Sequence, residues 1–296
     1  MHKPSYQQCC EMIKGLPCFN HGAIIKEINA GQSSKCFKVL VVNEKGQETA
    51  YFVKYNNAAT FFDEVNASKE AALSAISPNV IYHDEHWLVN EFIEGTTLDN
   101  FSIPTEEKIN ITLNLMEKLE YLSISLPVVN LQNIITDIIN HSCFSLAQRD
   151  YIQNVQSTLP CLNTTVGVVC HGDINFSNVI VTKDHSWLID FECACVADKE
   201  YELAMFFAVN LLNKTEQEYS INKYNAKHAN QTINVFKLSQ CLLYTYLVNG
   251  LWYIDKYKDI NNTAADKKRF YCLALQQLIR FKRIYKDDFS LRIIMR

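Results

Sequence analysis

The apolar pattern of this chain changes period near Glu94-Gly95-Thr96, and that change limits the folds open to it. Before that point, β-branched and aromatic runs at 23–28, 36–42, 50–55, 80–83 and 87–93 predict five strands. One helix interrupts them near 64–76, where Val65, Ala72 and Ile76 line one face and Ser77-Pro78 closes the segment. Asn43-Glu44-Lys45-Gly46 supplies a turn between the second and third strands. Beyond it the period is helical. Pro104-Thr105-Glu106-Glu107 opens a helix carrying Ile109, Leu113, Met116 and Leu119, and from about residue 199 to the end the pattern stays helical. Short apolar runs at 166–170, 179–182 and 187–191 place a small hairpin inside the helical part. Sheet first and helices second is an α+β layout: a five-stranded antiparallel lobe over residues 1–93, and a larger, mainly helical lobe over 94–296.

Composition excludes several function classes. With 296 residues, 48% hydrophobic and 20% charged, the chain is long enough for two lobes and has the balance of a globular protein. A net charge of -4 provides no basic field for nucleic acid. The longest apolar stretch, 242–254, is broken by Thr245, Asn249 and Gly250, so no membrane span is expected. The eleven cysteines follow no recognisable signal peptide and show no paired C-x-x-C spacing. They read as reduced thiols of a soluble, cytoplasmic protein.

The chemistry concentrates in His171-Gly172-Asp173-Ile174-Asn175-Phe176-Ser177-Asn178 and, after a short hairpin, Leu188-Ile189-Asp190-Phe191. Phosphoryl transfer needs a carboxylate to orient a hydroxyl and take its proton, and oxygen ligands to hold a divalent cation against phosphates. A loop with Asp173 and Asn178, joined to a strand ending in Asp190, can supply both. Asp173 is the expected base; Asn178 and Asp190 are the expected magnesium ligands.

These motifs, with Ile189-Asp190-Phe191-Glu192, resemble the catalytic and metal segments of the aminoglycoside phosphotransferase and choline kinase superfamily. The resemblance covers roughly residues 22–285 and implies the bilobal protein-kinase-like fold, with ATP and magnesium as cofactors. Glu192 stands where protein kinases have glycine, and no Ala-Pro-Glu segment follows. Both departures indicate a small-molecule kinase. The resemblance implies that Lys54, ending Tyr51-Phe52-Val53-Lys54, pairs with the phosphates. As a strand-end lysine, it is expected to tolerate Lys54→Ala without loss of thermal stability in the absence of nucleotide. Glu64, fourteen residues before Pro78, is the expected partner of Lys54, with Glu70 in reserve. Gly31, Ser33 and Ser34 fall where the family's phosphate-covering loop lies. Glu91 and Phe92 fall in the hinge, where backbone groups would meet adenine. His171 is expected to be structural, and Asp198 an N-cap for the next helix. His83-Asp84-Glu85-His86 reads as a solvated loop.

Substrate identity would be written in the aromatic carboxy-terminal helices. Asn249-Gly250-Leu251-Trp252 is similar to the Trp-Gly-Leu-Trp stretch of choline and ethanolamine kinases, with Asn249 replacing the first tryptophan. Aromatic faces suit a cationic group that cannot be hydrogen-bonded, which makes Trp252 the candidate acceptor residue. The expected partner is a small cationic acceptor such as choline, ethanolamine or thiamine. An aminoglycoside acceptor and a catalytically silent nucleotide binder are the alternatives.

Overall fold

The computed structural model describes residues 4–19, 23–28, 34–43, 45–56, 61–141, 144–162, 167–228, 231–285 and 287–295, with residue 61 described by its backbone alone. In chain order the elements begin with α1 (Tyr6–Lys14), β1 (Ile24–Ile28), β2 (Lys35–Val42) and β3 (Glu48–Tyr55). Next come α2 (Phe61–Leu73), β4 (Val80–His83), β5 (Trp87–Glu91), β6 (Thr96–Thr97), α3 (Thr105–Glu120), α4 (Leu131–His141) and α5 (Leu146–Thr158). β7 (Val168–Cys170), β8 (Val179–Val181), β9 (Ser186–Leu188) and β10 (Cys195–Ala197) precede α6 (Lys199–Val209). α7 (Lys214–Lys227), α8 (Val235–Lys258), α9 (Ala264–Ile284) and α10 (Leu291–Ile294) complete the chain. The fold is α+β, with a five-stranded antiparallel sheet near the amino terminus and a mainly helical remainder. Among the described residues no helix is long and apolar enough to cross a membrane.

Two compact units emerge. The sheet unit comprises Met1–Ile103, Asn114–Leu126 and Phe176–Ala194; the helical unit comprises Pro104–Leu113, Pro127–Asn175 and Cys195–Arg296. In the sheet unit the strands run in the order β1-β2-β3-β5-β4. Alternation sends Phe37, Val39, Val53, Trp87 and Val89 to one face, where they pack with Cys9 and Ile13 of α1. Leu88 points the other way and packs with Val65 of α2. Covering both faces is why β5 is an unbroken buried run instead of an alternating one.

α1 is an element that strand periodicity did not announce. Its signature is local: the Ser5 hydroxyl accepts the Gln8 N–H and the Gln8 side chain accepts the Ser5 N–H, forming a capping box. Helix α2 ends three residues before the expected point. Ala75 takes a left-handed φ of 52°, its N–H donates to the Ala72 carbonyl, and the Ile76 N–H donates to that of Ala71. This 6→1 and 5→2 pair of bonds stops the helix ahead of Ser77-Pro78. The strand expected at 187–191 likewise stops at Leu188, because Asp190 leaves extended geometry (φ 67°, ψ 65°) and a short 3-10 turn, Phe191–Cys193, follows. The strand expected at 166–170 is Val168–Cys170, and Val166 lies outside the described residues.

β6, β8 and β9 form a second small sheet in this unit. The hairpin is tied to the end of α2: the Leu188 N–H donates to the Ile76 carbonyl at 2.8 Å, and His185 Nε2 lies 2.8 Å from the Ala75 carbonyl. Close approach of β6 to β8 explains Gly95, where an added Cβ would lie 2.6 Å from Ile180 Cγ2 and 2.7 Å from the Val181 carbonyl.

In the helical unit α6 is buried without interruption from Glu200 to Ala208, so it shows no amphipathic stripe. α8 packs against α4, α6 and α9. Asp198 occupies the N-cap position of α6, yet its side chain makes no cap bond. Instead it ion-pairs with Lys237 of α8 at 2.7 Å, because both side chains are largely buried and an unpaired charge there would be costly.

Candidate active site

The sheet unit gathers an ion cluster around Lys54. On β3, Lys54 stands opposite Cys36 of β2 and Leu88 of β5 and is only 4% exposed. Its Nζ lies 2.6 Å from Glu64 Oε1, 2.7 Å from Asp190 Oδ1 and 3.1 Å from Glu192 Oε2. Glu64, in the first turn of α2 and 2% exposed, also accepts from Asn56 Nδ2 at 3.4 Å. Glu64, not Glu70, is therefore the helix carboxylate paired with Lys54. Burial alone would lower the Lys54 pKa, but Asp190, Glu64 and Glu192 more than offset it and leave it raised. The same burial raises the Glu64 pKa, with Lys54 opposing. Lys54 is thus firmly cationic, and three carboxylates around one ammonium leave the cluster acidic.

The hairpin sets the geometry of the two expected metal ligands. Val179 pairs with Leu188, and one step on, the Ile189 N–H donates to the Asn178 carbonyl at 2.9 Å. Asn178 and Asp190 therefore come off the same end of one short ladder. One oxygen of Asp190 is engaged with Lys54, which leaves Oδ2 for a cation. The Asn178 amide oxygen and a carboxylate oxygen are hard donors of the kind magnesium takes, so the residues present fit that ion. Among the described residues no group of three or more His, Cys, Asp and Glu could hold a metal by itself, so further oxygens would have to complete the shell.

Of the expected phosphate loop, Gly31 and Ser33 lie outside the described residues. Ser34, just ahead of β2, has a buried hydroxyl oxygen with no hydrogen-bond partner among the described residues. In the segment expected to be the hinge, the Glu91 N–H donates to the Asn79 carbonyl (2.9 Å) and the Phe92 N–H to that of Ala50 (3.2 Å). Those two amides are committed to the sheet, so adenine would have to meet carbonyls or later amides. Lys38 caps this edge, 2.5 Å from Glu94 and 4.0 Å above the Phe92 ring.

The helical unit carries the loop with Asp173. His171 is fully buried, and its Nδ1 accepts the Asp173 N–H at 3.3 Å, a structural role. Asn175 Nδ2 donates to Asp173 Oδ2 at 3.2 Å. Glu202 of α6 accepts the N–H groups of His171 and Gly172, and Asn210 at the end of α6 donates to the Ile174 carbonyl. On α8, burial pushes the Tyr253 phenol up to about 12, with the Asp173 charge adding to the effect and Arg269 opposing it. Trp252, the expected acceptor residue, is 37% exposed and meets Tyr253 and Phe270 edge-on. Its ring already carries a cation: Lys256 Nζ lies 5.1 Å from the centroid.

Sequence reasoning passed over Glu192, Glu202 and Tyr253 as site residues. Glu192 registered only as a missing glycine, although a carboxylate two positions beyond Asp190 was the available signal. The segment His83-Asp84-Glu85-His86 is the β4–β5 turn, where Asp84 Oδ1 accepts the His86 and Trp87 N–H groups. The described cysteines form no disulfide, and burial pushes the Cys36 and Cys241 thiols up to about 12.

Residues 142–224, which span the Asp173 loop, the hairpin, Asp190 and α6, match the family model of the phosphotransferase enzyme family APH. Over those residues the chain carries that family's signature. Its fold agrees. A choline/ethanolamine kinase family protein from Mesorhizobium loti matches with a TM-score of 0.69 at 15% identity over 95% of each chain. The choline kinase LicA from Streptococcus pneumoniae, also solved with AMP, matches at 0.68 and 16% over 92% of this chain and 98% of that one. A spectinomycin phosphotransferase solved with ADP and spectinomycin matches at 0.56 and 15% over 97% and 96%. No curated protein matches the chain by sequence.

Proposed function

We propose that this chain is an ATP- and magnesium-dependent kinase that phosphorylates a hydroxyl of a small cationic metabolite of the choline, ethanolamine or thiamine type. The observation that carries the reading is Lys54, buried and held between Glu64 at 2.6 Å and Asp190 at 2.7 Å. A buried lysine paired with a helix carboxylate, beside an aspartate able to hold a metal ion, is the arrangement that phosphate positioning uses. AMP and ADP bound to structures of this fold support an adenine nucleotide as donor.

In this reading residues 1–93 serve the nucleotide and 94–296 the catalytic loop and acceptor. Lys54 and the Ser34 hydroxyl hold phosphate oxygens, and Asn178 and Asp190 hold magnesium. The ion, when bound, neutralises charge that develops on the transferred phosphoryl group. Asp173 orients the acceptor hydroxyl and takes its proton as the new P–O bond forms and the bond from the γ-phosphorus to the departing ADP breaks.

Measuring ADP release across choline, ethanolamine, thiamine and aminoglycosides, with and without magnesium, tests this. Magnesium-dependent turnover with a small cationic alcohol is expected. Turnover confined to aminoglycosides would move the acceptor class. ATP binding without turnover of any acceptor would favour a silent nucleotide binder.

A further inference from the structure

We propose that Cys170 and Cys195 are a redox-sensitive pair whose disulfide draws on the strand leading into Asp173 and reversibly slows transfer. The effect on rate rests on the kinase reading; the pairing rests on the ladder alone. β7 and β10 form a two-stranded antiparallel sheet in which Cys195 stands directly opposite Cys170. Residues so opposed project to one face, and Cys170 Sγ already leans toward β10, 3.9 Å from the Ala197 carbonyl. Val196, between Cys195 and Ala197, donates its N–H to the Pro127 carbonyl (2.8 Å) and accepts the Val129 N–H (2.9 Å). Its peptide groups thus face away from β7, so the ladder to β7 runs through Cys195 and Ala197. Cys170 and Cys195 are therefore a hydrogen-bonded pair, with Cα atoms about 5.5 Å apart and Cβ atoms toward the wide end of about 4.5–5.5 Å.

A disulfide accepts that Cα separation but holds its Cβ atoms about 3.8 Å apart. Closing the bond draws the two Cβ atoms together by around 1 Å, at the end of a ladder three pairs long. Beyond this pair the chains part, since the His171 N–H goes to Glu202 and the Ala194 N–H to the Phe191 carbonyl. The end of β7 can therefore give, and the residues it moves next are His171, Gly172 and Asp173. Strain of this kind makes a disulfide easier to reduce, which suits a reversible switch better than a permanent clamp. The oxidant is a low-molecular-weight disulfide, which reaches the pair as the ladder end frays. Cys195 gives up its proton and attacks one sulfur of that disulfide, expelling a thiolate. Cys170 then gives up its proton and attacks the Cys195 sulfur of the mixed disulfide, expelling the second. Two small thiols leave with the two protons, and two electrons pass from the cysteines to the oxidant. Burial, with Glu202 adding to it, raises the Cys195 thiol above its usual pKa, so exchange is slow and follows sustained oxidation only.

The test incubates the full chain with glutathione disulfide, alkylates the remaining thiols and maps the peptides without reduction. On the same samples kcat, KM for ATP and amide hydrogen exchange at residues 171–175 are followed. A Cys170–Cys195 link is expected, with kcat about 10- to 100-fold lower, the scale of a misplacement near 1 Å. KM for ATP should change little, and dithiothreitol should restore kcat. Cys193 is exposed and two positions from Cys195, so its own capping must be separated from the link. Cys193→Ala should still link and slow, whereas adding Cys195→Ala should abolish both effects; Cys170→Ala replaces Cys195→Ala if that variant does not fold. Glutathione on Cys161 and Cys272 without the link overturns the proposal, as does a Cys193–Cys195 link in its place or a link that leaves kcat unchanged. If the reduced chain transfers phosphate to no acceptor, the kinase reading fails instead. The link, with altered exchange at 171–175 on oxidation, then decides the switch by itself.

Discussion

The residues assigned to the nucleotide and those assigned to the acceptor are built on opposite physical plans. Around Lys54 the sheet unit holds a buried ammonium in contact with three carboxylates, one of them, Glu64, as buried as the lysine. On α8 the helical unit offers rings, with Trp252 more than a third exposed and meeting Tyr253 and Phe270 edge-on. A buried charge cannot be exchanged singly without leaving its partner uncompensated, whereas a half-exposed ring can be replaced at modest cost. The difference teaches why the transfer chemistry of this chain can be read from its residues far more sharply than its acceptor.

The sharpest break between the two plans would come at Asp173, the proposed base. Asp173→Asn should lower kcat about 10²- to 10⁴-fold, the usual cost of removing a general base, while ATP affinity stays close to wild type. Steady-state kinetics with nucleotide binding on the same preparation check this. A folded variant with wild-type kcat would remove Asp173 from the mechanism.

Lys54→Ala comes next, and here the structure reverses the expectation of unchanged thermal stability. Lys54 is no solvated strand end. Its removal leaves Glu64, almost fully buried, beside Asp190 and Glu192 with no cation among them. Breaking a buried pair from one side costs about 3–5 kcal/mol. Thermal unfolding without nucleotide should show a fall of many degrees, and adding Glu64→Gln should recover part of it. An unchanged Tm in Lys54→Ala would mean that the cluster is looser than its distances state.

What was legible in the sequence follows the same division. A β-branched and aromatic run placed Lys54 in β3, and the family resemblance, through the fourteen-residue spacing to Pro78, picked Glu64 over Glu70. The turn residues of Asp173, Asn178 and Asp190 were visible as a spaced set. Two things were not. Helix α1 was hidden because its signal is a Ser5–Gln8 cap in a short segment without a long apolar run. Glu202 was hidden because a carboxylate that bonds backbone amides thirty positions away leaves no periodic trace. The end of β9 was misplaced for a related reason: Asp190 adopts a left-handed conformation that its type allows but does not require.

Gly95→Ala probes the packing that carries the nucleotide-side hairpin. The new Cβ would press on Ile180 and on the Val181 carbonyl, and the carbonyl is backbone that cannot rotate away. Overpacking of this kind costs about 1–3 kcal/mol. Chemical denaturation should show a lower midpoint at constant m, and activity at saturating magnesium and ATP should fall less than in either charged variant. A neutral result would show that β6 shifts freely against β8.

The smallest expected effect is the most informative about the acceptor. Lys256 sits one turn beyond Trp252 on α8 with its ammonium 5.1 Å from the indole centroid. A cationic acceptor that used this ring face would have to displace an ammonium already there. Lys256→Met keeps most of the side-chain length and removes the competing charge. At an exposed site a cation–π contact is worth about 0.5–1 kcal/mol, so KM for a cationic acceptor should fall about 2- to 5-fold while KM for ATP holds. Trp252→Ala should raise KM for the same acceptor and cancel the gain in the double variant, since two residues sharing one contact do not act additively. A KM that rises in Lys256→Met would mean that the ammonium itself meets the acceptor. The pocket would then select a negatively charged group, and Trp252 would be a shelf for Lys256 instead of a seat for substrate.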